Sequence, residues 1–402
     1  MKILVLNAGS SSQKSCLYEI QADIPQHPPK PIWEAQVDWR LPEVASLKIK
    51  TASYEIQQEI KASRPEVIGY LLDSMHTGAT KVVDLSEIDV VGHRIVHGGK
   101  QYQESVVITE QVIDTIRQLA TLAPAHNPAN LEGILAIQQH LGDVKQVAVF
   151  DTAFHSHIPD AAAIFPGPLE WVSQGIRRYG FHGISHQYCA QRAAQILGQN
   201  LNSLRIINCH LGNGCSLAAI KNGRSIDTTM GFTPLDGLMM GSRSGAVDPG
   251  ILIHLLRQEN YTVEKLDNIL NKSSGLLGIS GISGDMRQIL SAISTGESRA
   301  QLAYDIYIHR LRYYIGAMLA SLQGLDVLVF TAGVGENSPD VRSAACEAFG
   351  FLGLSLDVNK NHERPIDIDI AAPDSKVRVL VIHTQEDWQI ACECFRHSLN
   401  KD

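Results

Sequence analysis

The chain has 402 residues, 44% of them hydrophobic and 19% charged, the profile of an ordinary folded protein long enough for two domains. A net charge of −8 argues against an extended nucleic-acid footprint, though not against a local basic pocket for an anion. No apolar run approaches the roughly 20 residues of a membrane span, and the apolar stretch before Asn7 is too short for a secretory signal. Seven cysteines, an odd number without a C-x-x-C pair, fit reduced thiols and a cytoplasmic setting.

Taken in order, "LVLNAGSSSQKSCLYEI" reads as strand, Gly/Ser turn, strand. Residues 22–50, opening with "DIPQHPPKPIW", read as an irregular Pro-rich excursion. "DVVGHRIVHGG" reads as a strand entering a Gly turn. "HNPANLEGILAIQQHLG" reads as a helix with Asn127 as N-cap, Pro128 at the first helical position, Leu131, Ile134 and Leu135 on one face, and Gly142 at its end. "QVAVFDTAFH" is a short buried strand with Asp151 at its end. "LRIINCHLGNGCSLAAIKNGRSID" repeats the strand–turn–strand plan and closes on an Asn222-Gly223 hairpin turn. The apolar stripe from Ile306 to Leu322 reads as a long core helix. "LDVLVFTAGVGEN" is a buried strand ending in a Gly-rich loop, Ser338 and Pro339 open another helix, and "VRVLVIHTQEDWQIACECF" is a last strand followed by a helix. Residues 3–20 and 205–220 share one plan, which suggests two copies of a phosphate-binding hairpin.

Three small-residue loops follow apolar strands: residues 7–14, 210–214 and 332–337. Glycines let backbone N–H groups approach a phosphate, and Ser10, Ser11, Ser12 and Lys14 add hydroxyl and charge. One such loop is more readily a plain turn; three favour a nucleotide. No Walker sequence G-x-x-x-x-G-K-[ST] occurs. Arg94 and Arg243 lie among glycines, where a guanidinium can fork onto a carboxylate or phosphate; Arg177, Arg178 and His182 stand together in "RRYGFHGISH". H-E-x-x-H is absent, and the pair His182 and His186 does not read as a zinc site.

"NAGSSSQKS", "VGHRIVHGG", "HNPAN", "VAVFDTAFH", "RRYGFHGISH", "CHLGNG", "SIDTTMGFTPLDGLMMGSRSG", "SGLLGISGISGDMR" and "FTAGVGEN" resemble, in order and over nearly the whole chain, the signatures of the acetate kinase family. The resemblance implies an α/β fold of the actin, Hsp70 and sugar-kinase superfamily, a duplicated ribonuclease H-like βββαβαβα unit. It implies an N-terminal domain over 1–151, joined by a C-terminal helix at about 386–402, and a second domain over 152–385. It further implies reversible phosphoryl transfer between ATP and acetate, giving ADP and acetyl phosphate, with Mg²⁺ (Mn²⁺ as substitute) and a homodimer.

By the same resemblance Asn7 and Glu386 would hold the metal. Ser10, Ser12, Lys14 and His210, Leu211, Gly212, Asn213, Gly214 would face the phosphates. Asp285, Met286, Arg287 and Gly333, Val334, Gly335, Glu336, Asn337 would hold the adenosine. Arg94, Val96, Phe181 and Pro234 would bind acetate, and Asp151, His182 and Arg243 would act in catalysis. A carboxylate substrate carries no proton to abstract at neutral pH, so Asp151 is expected to orient other groups rather than act as a base. The chain departs from the family at Ala125, where leucine is common, at Ser242 and Ala246, and in "TQED" around Glu386. A larger methyl pocket would admit propionate, since one methylene there is worth about 1–3 kcal/mol. An Hsp70-like ATPase and a histidine-based metal hydrolase are the alternatives from other classes.

Overall fold

The computed structural model describes residues 1–9, 12–41, 44–124 and 126–399. Two compact units divide the chain: Met1–Phe154 with Gln385–Asp402, and His155–Thr384.

The first unit is built on a mixed sheet of β1 (Lys2–Ala8), β2 (Ser12–Glu19), β3 (Trp33–Leu41), β4 (Val44–Thr51), β5 (Glu55–Lys61), β6 (Val90–Ile95), β7 (Val106–Val107) and β8 (Lys145–Phe150). Its order is β5-β4-β3-β2-β1-β6-β8-β7. β1 runs antiparallel to β2 and parallel to β6, which in turn is parallel to β8. The sheet corrects the reading of residues 22–50 as irregular. Trp33, Ala35 and Val37 on β3, and Ala45, Leu47 and Ile49 on β4, alternate with polar neighbours and are buried. That period of two marks half-buried strands, and the proline run ahead of them obscured it. Their apolar face packs with Val67, Leu71, Leu72 and Met75 of the helix Arg64–His76.

The helix Asn127–Leu141 starts one residue earlier than expected, because His126 rather than Asn127 holds the cap position. Ile134 is buried, but Leu135 is 42% exposed and does not belong to the core face. The C-terminal helix Glu386–Leu399 packs on β1 and β6. Gly92 on β6 makes that approach possible: a Cβ there would lie 2.5 Å from Cys394 Sγ and 2.7 Å from Ile390 Cγ2.

The second unit has β9 (Arg205–Leu211), β10 (Cys215–Lys221), β11 (Arg224–Thr228), β12 (Val327–Thr331), β13 (Ile368–Asp369) and β14 (Arg378–Val381), in the order β11-β10-β9-β12-β14-β13. β11, β10 and β9 are successively antiparallel, and β9, β12 and β14 are parallel. The run β3-β2-β1-β6-β8 of the first unit has the same sequence of directions. The short echo between residues 3–20 and 205–220 is therefore the visible end of a duplicated α/β topology. Asn222 and Gly223 join β10 to β11 with φ of 54° and 71°, as a type I′ hairpin requires. Residues 332–337 are not an open loop: Ala332–Asn337 is a short helix entered through Ala332 at φ 64°. Glu336 makes that turn tenable by accepting from the Ala332 N–H at 2.9 Å.

Candidate active site

In the first unit, the end of β1, the end of β6 and the start of the C-terminal helix bring charged groups together. Asn7 and Lys14 are cross-strand partners on β1 and β2. The Asn7 amide donates to Asp387 Oδ1 at 2.9 Å and to Glu386 Oε2 at 3.2 Å. Lys14 Nζ lies 2.6 Å from Asp387 Oδ2. Arg94 donates through Nε to Asp151 Oδ2 at 3.1 Å, pairs with the same oxygen through Nη2, and reaches Asn7 Oδ1 at 3.4 Å. Burial disfavours the Arg94 charge, but Asp151, Glu386 and Asp387 more than offset it and hold its pKa above the usual value. Burial likewise opposes the Lys14 charge, and Asp387 chiefly raises its pKa in the end.

Asp151 is buried, and among the described residues its Oδ1 has no hydrogen-bond partner. An acceptor left open in such surroundings costs about 1–3 kcal/mol, and it suits a donor brought by a hydrated ligand. Asp387, buried and bridging Asn7 to Lys14, was overlooked in the sequence because it sits beside the more familiar Glu386. Asn127 and Asn130 of "HNPAN" brace the backbone instead of capping the helix. Asn130 accepts from the Val96 N–H and donates to the Ala8 carbonyl, while Asn127 accepts from the His97 N–H and donates to its carbonyl. These side chains fix the segment that carries Val96, itself buried.

Among the described residues no group of three or more His, Cys, Asp or Glu side chains is set to hold a metal ion. Glu386 and Asn7 nevertheless offer the hard oxygen donors that suit Mg²⁺, which retains water and is commonly held by one or two carboxylates with substrate phosphates.

In the second unit, His182 caps the helix Gly183–Leu197 in a left-handed conformation, φ 56°. Its ring stacks on His210 with centroids 4.1 Å apart. His182 and Arg243 both flank Gly214: a Cβ on that glycine would lie 3.4 Å from Arg243 Nη1 and 3.7 Å from His182 Nε2. Arg243 donates to the Pro234 carbonyl at 3.0 Å, and among the described residues it has no carboxylate partner. Burial lowers its pKa, with only Cys215 opposing; a guanidinium stays charged all the same. Phe181 is buried and Pro234 partly so. Arg178, by contrast, is occupied by Asp236 and by the carbonyls of Thr229 and Met230, which makes it a brace for the Gly-rich loop. Arg177 lies 4.0 Å from Asp160.

A cavity of about 620 Å³ opens between the β9–β10 turn and three helix starts. Gly212 and Asn213 line one side; Asp285, Met286 and Arg287 line another; Gly333, Val334 and Asn337 a third. Its volume suits a small-molecule ligand of nucleoside size. Asp285 caps the helix Met286–Ser294 through the Arg287 N–H and pairs with the Arg287 guanidinium. Leu211 is buried in the sheet, and Gly335 and Glu336 do not line the cavity. The Glu336 carboxylate is turned to the N–H groups of Ala332 and Thr384 and to His383, so its role is to shape the short helix. Arg342, buried, donates to the carbonyls of Gly335 and Glu336 and to Asn361. Burial pushes its pKa down to about 10. Nothing in its sequence context distinguishes it from a surface arginine. Ser10, Ser11 and Ala125 lie outside the described residues; Ser12 follows them at the start of β2, exposed.

The family model described as the acetokinase family matches residues 2–392. The acetate kinase of Trichormus variabilis is 67% identical, with 100% of both chains covered. Among solved structures, the Porphyromonas gingivalis acetate kinase is 40% identical with a TM-score of 0.90, covering 98% of this chain and 99% of its own. A propionate kinase from Francisella tularensis is 38% identical with a TM-score of 0.89, over 98% and 99% of the two chains. Two mixed sheets of one topology, the anion-ready groups around Gly214 and a match along almost the full length all lead to one assignment: the chain belongs to the acetokinase family.

Proposed function

We propose that the chain is an acetate kinase, transferring the γ-phosphoryl group of ATP reversibly to acetate to give acetyl phosphate and ADP. The observation that carries this reading is Arg243, a part-buried guanidinium with no carboxylate partner among the described residues, beside His182 and the β9–β10 turn. A cation so placed has its charge available for an anion, and phosphoryl transfer needs that, because both acetate and the phosphates are anionic.

The cavity lined by Gly212, Asn213, Asp285, Met286, Arg287, Gly333, Val334 and Asn337 takes the adenosine part of the nucleotide. Arg94 offsets the negative charge of the acetate carboxylate, and Val96, Phe181 and Pro234 contact its methyl group. One carboxylate oxygen attacks the γ-phosphorus as the bond to the β,γ-bridging oxygen breaks. Charge spreads over the equatorial oxygens, and Arg243 and His182 stabilise it there. Asp151 takes no proton. Its Oδ2 accepts from Arg94 and holds that guanidinium in one orientation. Glu386 and Asn7 hold Mg²⁺, which neutralises phosphate charge when bound, and Lys14 faces the phosphates from β2.

The competing acid is propionate, named in the Francisella neighbour. Acetate is preferred here because the relatives at 67% and 66% identity are acetate kinases. A hydroxylamine trap for acyl phosphate, run with formate, acetate, propionate and butyrate, separates them: acetate gives the highest kcat/KM. A clearly higher value for propionate removes the acetate assignment, and no acyl phosphate from any acid removes the kinase reading.

The same reading makes the protein a cytoplasmic homodimer joined through the second unit. No helix among the described residues is long and apolar enough to cross a membrane. The helix Pro249–Leu256 is almost wholly apolar yet buries none of its residues. Ile251, Ile253 and Leu256 are each about half exposed, as expected of a surface that meets another chain.

A further inference from the structure

Behind His182 lies a line of buried polar groups that the proposed chemistry does not use. His182 Nδ1 is 2.9 Å from Ser216 Oγ. The same hydroxyl is 2.8 Å from His186 Nε2, one helical turn further along Gly183–Leu197. His186 Nδ1 is 2.8 Å from the side-chain amide of Asn208. Ser216, His186 and Asn208 are fully buried, on β10, the helix and β9. Among the described residues Ser216 Oγ has only these two imidazoles as partners, so its one proton goes to one of them and the chain runs one of two ways.

The Asn208 amide selects between them. With Nδ2 toward His186, the buried atom left without a partner is the carbonyl oxygen Oδ1. The reversed amide would leave the NH₂ group without any partner there, and orphaned donors are rarer and costlier in proteins than under-used carbonyls. The amide therefore donates to His186 Nδ1, which puts the His186 proton on Nε2. That N–H donates to Ser216 Oγ, and the Ser216 hydroxyl donates to His182 Nδ1. The His182 proton is left on Nε2, the atom beside Gly214 and Arg243. Burial, reinforced by His155 and His210, keeps the His186 pKa far below its ordinary value, so the relay stays neutral and directional.

We infer that Asn208, His186 and Ser216 are positioning residues that lock His182 in the Nε2–H tautomer, so that it presents a hydrogen-bond donor to the transferring phosphoryl group without being protonated. This rests on the reading of His182 as a catalytic residue. The two distinguishable directions of the chain would give His182 opposite roles, donor or acceptor, from identical heavy-atom positions.

The test is ¹⁵N NMR of the full-length protein labelled at histidine, with the His182 signals identified by their loss in His182→Asn. In the wild type His182 Nδ1 resonates as an unprotonated, pyridine-like nitrogen and Nε2 as an N–H nitrogen. Ser216→Ala abolishes the single tautomer and lowers kcat about tenfold, a fraction of the full loss of one transition-state donor, with KM for ATP unchanged. Ser216→Thr, which keeps the hydroxyl, restores both. A wild-type His182 protonated on Nδ1 overturns the proposal without any variant. An unchanged His182 spectrum in Ser216→Ala overturns it as well. Near-normal kcat in His182→Asn instead overturns the catalytic reading of His182 and leaves the tautomer assignment standing.

Discussion

Arg94 and Arg243 carry the same charge under opposite circumstances. Arg94 is held by the Asp151 carboxylate and by Asn7, whereas Arg243 donates to a single carbonyl at hydrogen-bond distance typical of oxygen. Their alanine variants should fail differently. Arg243→Ala removes charge from the transition state and should lower kcat at least a hundredfold with little loss of stability. Near-normal turnover at saturating acetate would remove that role. Arg94→Ala strands the buried Asp151 carboxylate, so about 3–5 kcal/mol of stability should go with the rise in KM for acetate; calorimetry alongside kinetics separates the two effects. Asp387→Asn keeps the side-chain shape but loses the charge that holds Lys14. It should raise KM for MgATP about tenfold and lower kcat/KM for acetate much less, an expectation that a two-substrate kinetic matrix checks.

Elements show where sequence reading succeeds and where it stops. The β1–β2 and β9–β10 hairpins, the Asn222-Gly223 turn and the last strand and helix were legible, because each has a local signal in turn residues or apolar period. Strands β3 and β4 carried an equally clear period of two, hidden behind the prolines of residues 25–31. The short helix Ala332–Asn337 had no such signal: glycines look like a loop, and the contacts that wind them come from Glu336 and Arg342. Candidate site residues with a motif of their own stand out in the sequence, and residues that act through others do not. Ser216, Asn208, Asp387 and Arg342 look like ordinary strand or helix residues until the fold sets them against a partner. Gly92 gives this scale its prediction. Gly92→Ala should destabilise the first unit by about 1–3 kcal/mol through overpacking against Ile390 and Cys394. It should also lower activity by displacing the helix start at Glu386 and Asp387. An unchanged Tm would mean that the helix yields freely.

For the whole molecule, buried histidines set the response to acid. Burial lowers His93, His97 and His155 from 6.5 to about 4. The unfolded chain takes up these protons below about pH 6.5 and the folded chain only near pH 4. The stability that neutral burial provides is therefore complete above that range and is lost as pH falls through it. Each histidine accounts for up to about 3 kcal/mol. Urea titrations between pH 7.5 and 4.5 should show midpoints falling steadily; a flat profile would contradict the buried, neutral state. Assembly has its own measurement. In sedimentation velocity the protein should run at twice its 44.0 kDa chain mass, and the double variant Ile251→Asp, Ile253→Asp as a monomer. A monomeric wild type would leave the apolar helix Pro249–Leu256 without the partner assigned to it.

The C-terminal helix gives the first unit a peculiar history during synthesis. Its sheet is laid down by residues 2–150, but the helix that covers β1 and β6 is made only after the whole second unit. Until then the nascent first unit lacks Trp388, Ile390 and Phe395, the apolar side chains of that covering layer. It also lacks Glu386 and Asp387. The second unit has every strand of its own sheet earlier, by Val381. A chain that stops short of residue 385 is thus left with an unfinished layer and without its acidic pair. The first unit's acidic pair and its covering layer thus arrive together, after the intervening second unit has been made.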